Sequence, residues 1–100
     1  MSVREQLEED LATAPWSEIK AHYQRGAVIV VTPSQSLVAV GVAFHEDQKT
    51  VVEGWLSDGT ICKCSDSQAQ EFENSDEEPS FEYLILQPFV LVKVIRKHYH

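Results

Sequence analysis

The sequence has few of the residues on which several common kinds of protein depend. Its 100 residues include two cysteines, four glycines and four prolines. Two cysteines are too few for a secreted scaffold held together by disulfide bonds. Four glycines leave little room for a glycine-rich phosphate-binding loop, and neither a nucleophile elbow nor a His-Glu-x-x-His motif is present. The common signatures of nucleotide-binding enzymes, α/β-hydrolases and zinc proteases are therefore absent.

Positive charge is scarce as well. Eight lysines and arginines stand against 16 aspartates and glutamates, which gives a formal net charge of −8. A negative field repels phosphates, so we expect no nucleic-acid partner and no anionic membrane surface as a partner. The N-terminus has no apolar signal core, and no apolar run approaches the length of a membrane span. These observations predict a cytoplasmic protein.

The rest of the composition is that of an ordinary globular chain. Hydrophobic residues make up 43% of the sequence, and its length suits a single domain over residues 1–100. Helical and β patterns alternate and predict an α+β fold. In this fold an N-terminal helical hairpin precedes a small sheet formed by residues 27–32 and 81–95, and two or three further helices cover the sheet. We also expect an acidic loop at about 74–80 and a basic tail at 96–100.

Cap signals define the predicted hairpin. Ser2 and Glu5 have the spacing of a capping box, which predicts a helix at the N-terminus. Pro15 ends that helix, and Ser17 is a suitable N-cap for a second one. Gly26 stands where a left-handed residue commonly closes a helix.

Residues 37–46 fit two structures. Every second residue from Val38 to Phe44 is apolar, which is typical of a strand. Val40 and Phe44 also lie on one helical face, for which Ser36 would be the N-cap. The pattern alone leaves both alternatives open.

Two tryptophans lie on apolar helical faces. Trp55 has Val51, Val52 and Leu56 as helical neighbours, so we expect it to be largely buried. Trp16 is expected to face the core in the same way. The alternative is that the two tryptophans stack on a ligand.

Several short motifs follow one another along most of the chain. They are Pro15-Trp16, Arg25-Gly26, Pro33-Ser34 with Leu37-Val38 and Val40, Asp47, Trp55-Leu56 with Gly59, and Gln87-Pro88-Phe89-Val90-Leu91. Their order and spacing resemble a family of small bacterial proteins, the domain of unknown function 2288 family. That family often has tryptophan where this chain has Phe89, and its pattern contains neither the cysteine pair nor the terminal histidine pair. The resemblance implies a helix over 37–46 and a further helix from Asp47, and it implies no activity.

Four residues are candidates for a metal site. Cys62 and Cys64 are one residue apart, so on an extended segment both thiols point to the same side. His98 and His100 could complete a set of four ligands for zinc or copper. The spacing differs from that of structural zinc motifs and from the Cys-x-x-Cys redox signature. We therefore expect no cofactor and keep a metal- or redox-responsive protein as an alternative.

Histidines supply the candidates for acid–base chemistry. His22 lies on the second predicted helix, and His45 is followed by Glu46 and Asp47. No serine or cysteine nucleophile with an orienting acid is evident beside either histidine. An enzyme would then need a site shared between subunits.

The C-terminal β segment suggests self-association. Val90, Val92 and Val94 share one face of an extended segment that begins at Phe89. An uncovered apolar strand would template pairing with another chain. We therefore expect a homodimer whose interface includes these four residues.

The prediction that best fits these observations is a non-catalytic interaction, regulatory or structural module, with an unidentified protein as a further partner. The metal-responsive protein and the shared-site enzyme are the alternatives, and an acidic mimic of a nucleic acid is a fourth idea. No catalytic or cofactor-binding residue is assigned.

Overall fold

The computed structural model describes residues 2–32, 34–76 and 79–95. Over these residues the chain forms five helices: α1 (Val3–Asp10), α2 (Trp16–Gln24), α3 (Leu37–His45), α4 (Lys49–Asp58) and α5 (Asp66–Glu73). The strands are β1 (Ala12–Pro15), β2 (Val28–Val31), β3 (Ile61–Lys63), β4 (Ser80–Leu86) and β5 (Phe89–Ile95). The predicted α+β class is therefore confirmed. Within these ranges no helix combines the length and apolarity that a bilayer crossing requires.

All five strands belong to one mixed sheet, in the order β1-β4-β5-β2-β3. β4 and β5 form an antiparallel hairpin whose turn contains a cis Gln87–Pro88 bond. β5 runs parallel to β2, and the short strands β1 and β3 pair antiparallel at the two edges. Each of the four residues of β2 is buried, as expected for a strand covered on both faces.

Helices cover both faces of this sheet. We call one side the aliphatic face; α1, α3 and α4 contact it, and its buried residues are Leu7, Ile29, Val31, Leu37, Val38, Val40, Ile61, Leu84 and Leu91. We call the other side the aromatic face; α2 and α5 contact it, and its buried residues are Ala14, Trp16, Ile19, Val28, Val30, Ala69, Phe81, Val90 and Val92. Neighbouring residues of each central strand alternate between the two faces, as β geometry requires.

The predicted helical hairpin is not formed. β1 separates α1 from α2 and pairs with β4 along the edge of the sheet. α1 contributes Leu7 to the aliphatic face, whereas α2 contributes Trp16 and Ile19 to the aromatic face. The chain therefore crosses the sheet edge between the two helices. α2 also begins at Trp16, with Pro15 at the N-cap position, and not after Ser17.

Cap residues set the starts of α1 and α3. The Ser2 hydroxyl accepts a hydrogen bond from the Glu5 amide at 3.2 Å, and the Ser36 hydroxyl accepts one from the Ala39 amide at 3.2 Å. Residues 37–45 are thus helical, which resolves the ambiguity of that segment. Gly41 faces β4, where an added Cβ would lie 2.8 Å from a methyl group of Leu84. The absence of a side chain lets this helix lie close to the sheet.

α4 is less buried than its sequence predicts. None of its residues is buried: Val51 is 42% exposed, Leu56 is 48% exposed and Trp55 is half-buried against the aliphatic face. The expectation that Trp55 is largely buried is therefore wrong. The helix contacts α3 and β3 at one end of the sheet order, so only one side of it meets the core.

β5 is a central strand, contrary to the premise of the expected interface. It lies between β4 and β2, and the aromatic face covers Val90 and Val92, which are 3% and 1% exposed. Val94 and Phe89 are half-buried and pack against the aromatic and aliphatic clusters respectively. The strand thus has partners on both sides within one chain and leaves no open edge for a second copy.

Candidate binding groove

A groove of about 920 Å³ opens on the aliphatic face. Three parts of the chain line it: α1, the turn between α3 and α4, and the β4–β5 turn. The volume lies in the upper part of the range of about 300–1,000 Å³ that is typical of ligand sites. α1 buries Leu7 alone and α4 has no buried residue, so these two helices leave part of the aliphatic face open.

The floor of the groove is apolar. Phe44 at the end of α3 and Phe89 at the start of β5 form an edge-to-face pair, with ring centroids 5.8 Å apart and an interplanar angle of 78°. The other apolar lining residues are Val3, Leu7, Ala43, Val52, Ile85 and Leu86. Ile85 is 50% exposed. A concave, mainly apolar floor with a few polar groups around it is typical of ligand sites.

The rim of the groove is polar, and its acidic residues outnumber its lysine. Its charged lining residues are the carboxylates of Asp10, Asp47 and Glu53 and the ammonium group of Lys49. Uncharged polar groups and His45 complete it: Ser2, Gln6, Gln48 and Gln87. An amide of Gln6 donates to the Asp10 carboxylate at 3.4 Å, and an amide of Gln48 donates to Glu46 at 3.0 Å. The rim therefore combines hydrogen-bonding groups with an excess of negative charge.

Asp47 is held in an uncommon backbone conformation at this rim. Its φ is +55°, in the left-handed region that asparagine and aspartate adopt more readily than other non-glycine residues. The Asp47 amide donates to the Phe44 carbonyl at 3.2 Å, and its own carbonyl accepts from the Lys49 amide at 2.9 Å. These bonds fix the sharp turn between α3 and α4, and α4 begins at Lys49.

The cysteines lie away from the groove. Cys62 and Cys64 pack against the aromatic face, and burial, followed by the charge of Cys62, raises the pKa of the Cys64 thiol to about 11. Cys64 also borders a smaller pocket of about 340 Å³. At this pocket the Tyr23 hydroxyl donates a hydrogen bond to the Asp66 carboxylate, and this bond raises the pKa of Tyr23. A high thiol pKa is typical of a packing cysteine and not of a reactive one.

No metal-binding cluster appears in the part of the chain that the structure describes. Over residues 2–32, 34–76 and 79–95 no three histidine, cysteine, aspartate or glutamate side chains come close enough to hold one ion. His98 and His100 lie outside the described residues. The pairing of the two cysteines with the two histidines therefore stays a prediction.

The sequence profile of the family described as "Protein of unknown function (DUF2288)" matches residues 2–94, which is nearly the whole chain. The chain belongs to this family. It is similar in structure to the protein PA1075 from Pseudomonas aeruginosa, solved by NMR in solution, with a TM-score of 0.80 and 25% sequence identity. The match covers 100% of this chain and 94% of that one. No curated protein matches the chain.

Three residues from the motifs that carry the DUF2288 resemblance meet at the groove. Asp47 comes from the turn after α3, and Gln87 and Phe89 come from the β4–β5 turn. Of the two histidines considered for acid–base chemistry, His45 lines the groove and His22 does not. Trp16 is buried on the aromatic face and Trp55 packs against the aliphatic face, so the structure does not bring the tryptophans together as a stacking pair.

Most of the lining residues of this DUF2288 domain were not identified from the sequence. Gln6, Asp10 and Glu53 belong to helix surfaces, where polar residues normally face solvent. Their proximity depends on how three separate segments fold together: residues 2–10, 43–53 and 85–89. A local pattern carries no signal for that arrangement.

Proposed function

We propose that this DUF2288 domain is a non-catalytic binding module and that the groove is its binding site. The observation that carries the proposal is the apolar floor, in which an aromatic pair and several aliphatic side chains remain open to a ligand beneath a polar rim. Ligand sites combine such a floor with a few polar groups that orient the ligand.

The rim residues support binding more than catalysis. Among the described residues that line the groove, Ser2 supplies the one hydroxyl, and that hydroxyl caps α1 through the Glu5 amide. Nucleophilic catalysis needs a hydroxyl or thiol within hydrogen-bonding reach of a base. The Ser2 hydroxyl is instead part of the helix start, where removing it would destabilise α1.

A titration with a neutral apolar fragment tests this proposal. Indole is added to ¹⁵N-labelled protein, and amide shifts are followed by NMR. We expect saturable shifts at the groove, in α1, the α3–α4 turn and the β4–β5 turn. Gln6→Trp places an indole ring at the rim and should weaken binding by about tenfold or more, equivalent to about 1.4 kcal/mol.

Glu8→Trp is the control, because Glu8 lies on α1 but does not line the groove. It should leave fragment binding unchanged. Shifts spread evenly over the surface, or equal effects of the two tryptophan variants, would show that the groove is not a binding site.

A further inference from the structure

We infer that the occupant of the groove is an amphipathic helix of a partner protein whose polar face carries lysines or arginines. This inference rests on the groove being a binding site. It adds the chemical class of the partner, which the apolar floor alone does not specify.

The composition of the groove suits an amphipathic helix. Three segments, residues 2–10, 43–53 and 85–89, line it with apolar side chains on the floor and polar side chains around them. One face of such a helix could place its apolar side chains against Phe44, Phe89 and Leu86. Helix-in-groove recognition uses this arrangement, with apolar anchors that repeat every three or four residues.

The charge around the groove selects a basic helix. The rim has three carboxylates, from Asp10, Asp47 and Glu53, and one ammonium group, from Lys49. The chain as a whole adds to this excess, with a formal net charge of −8. A cationic partner would be attracted to this surface and oriented by it, because complementary charge steers association.

The same charges disfavour a second copy of this chain as the occupant. Each copy carries a formal charge of −8, so two copies repel each other at low ionic strength. A basic partner therefore suits the groove better than self-association does.

The experiment compares three designed peptides of 14 residues with the same leucine face. Their polar faces carry lysine, glutamine or glutamate, and binding is measured by fluorescence anisotropy at low and high salt. We expect the lysine peptide to bind about tenfold more tightly than the glutamine peptide at low salt, and the glutamate peptide to bind least. The advantage of lysine should shrink as salt rises, because salt screens exposed charges.

Charge-matched variants locate the interaction. Asp47→Asn with Glu53→Gln removes two rim charges, and the loss of two exposed pairs should weaken the lysine peptide about fivefold or more. Asn suits the left-handed position 47, so the turn should persist. The control, Glu71→Gln with Asp76→Asn, removes two exposed charges that do not line the groove and should change affinity less than about twofold.

Each other outcome overturns the inference in a different way. Equal binding of the lysine and glutamine peptides leaves the groove as a site but rejects the basic partner. Equal losses in the rim and control variants, or normal binding to Gln6→Trp, indicate general attraction to an acidic surface. Concentration-dependent shifts of groove amides in the protein alone identify a second copy as the occupant. If indole also fails to bind, the proposed function fails with it.

Discussion

On the aromatic face of the sheet, Trp16 contacts Tyr23, Phe72 and Phe81 with ring centroids 5.1–5.9 Å apart, and α2 and α5 cover these rings. On the aliphatic face, the aromatic pair Phe44–Phe89 lies at an open groove. Aromatic side chains thus pack in the core on one face and line a groove on the other. On the aromatic face α2 and α5 contact each other and leave the pocket of about 340 Å³ beside Cys64, whereas the helices of the aliphatic face leave the groove of about 920 Å³.

This difference indicates which face is available for binding. Apolar surface that is already covered stabilises the fold and offers nothing to a partner. Apolar surface that stays open costs stability and exposes the chain to aggregation, so it is usually retained for an interaction. Substitutions on each face should therefore change stability and reactivity to different extents.

The largest expected difference lies between two phenylalanines. Phe81 is 0% exposed and contacts Phe72 at 5.0 Å, so Phe81→Ala should lower the free energy of unfolding by about 3–5 kcal/mol. Phe44 is half-buried at the groove, and Phe44→Ala should cost about 1–2 kcal/mol. Urea denaturation measures both. Equal losses would mean that the groove floor is as important to stability as the aromatic core.

Two glycines should respond in opposite directions. In Gly41→Ala the new Cβ lies 2.8 Å from Leu84 and 3.1 Å from Leu7, and such overpacking costs about 1–3 kcal/mol. Gly54 lies in α4 with nothing within 4 Å, so Gly54→Ala should stabilise by about 0.5–1 kcal/mol through helix propensity. The melting temperatures of the two variants show directly whether each substitution stabilises or destabilises the fold. A gain for Gly41→Ala would show that α3 does not pack as closely on the sheet as described.

The cysteine on the aromatic face should give a smaller, pH-dependent effect. The folded state disfavours the Cys64 thiolate, because burial raises the pKa from 9.0 to about 11. The resulting contribution to stability is complete below pH 9, decreases as the pH rises and is lost by about pH 11. Urea denaturation at pH 8 and pH 10 should therefore show a larger alkaline loss for the natural protein than for Cys64→Ser. The same loss in both proteins would place the thiol in solvent.

Zinc should have the smallest effect. Because the described residues bring no third ligand to Cys62 and Cys64, added zinc should leave the melting temperature of the untagged protein unchanged. The variant with both cysteines changed to serine should behave in the same way. Stoichiometric zinc that is lost in this variant would revive the metal site predicted from the cysteine and histidine pairs.

The local elements were more predictable than their arrangement. Ser2, Ser36 and Ser65 each accept a hydrogen bond from a backbone amide at a helix start, and such caps are visible as residue types in the sequence. β1 was missed because its four residues, Ala12–Pro15, are too short to show a period. The hairpin prediction failed for the same reason, since that strand moves α2 to the other face.

The groove could not be predicted, because its residues come from three segments that a local pattern treats separately. His45 was considered for its chemistry, but nothing in the sequence placed it near Gln6 or Gln87. The expected interface at Val90 and Val92 shows the converse error. An apolar strand looks the same in sequence whether it is an edge or the centre of a sheet, and the pairing with β2 decided this case.

An NMR titration of ¹⁵N-labelled protein with the lysine peptide tests the contrast between the two faces most directly. We expect amide shifts to concentrate in α1, the α3–α4 turn and the β4–β5 turn, while amides of α2 and α5 stay unchanged. Shifts centred on α2 and α5 would contradict the proposed site, because they would place the binding surface on the aromatic face.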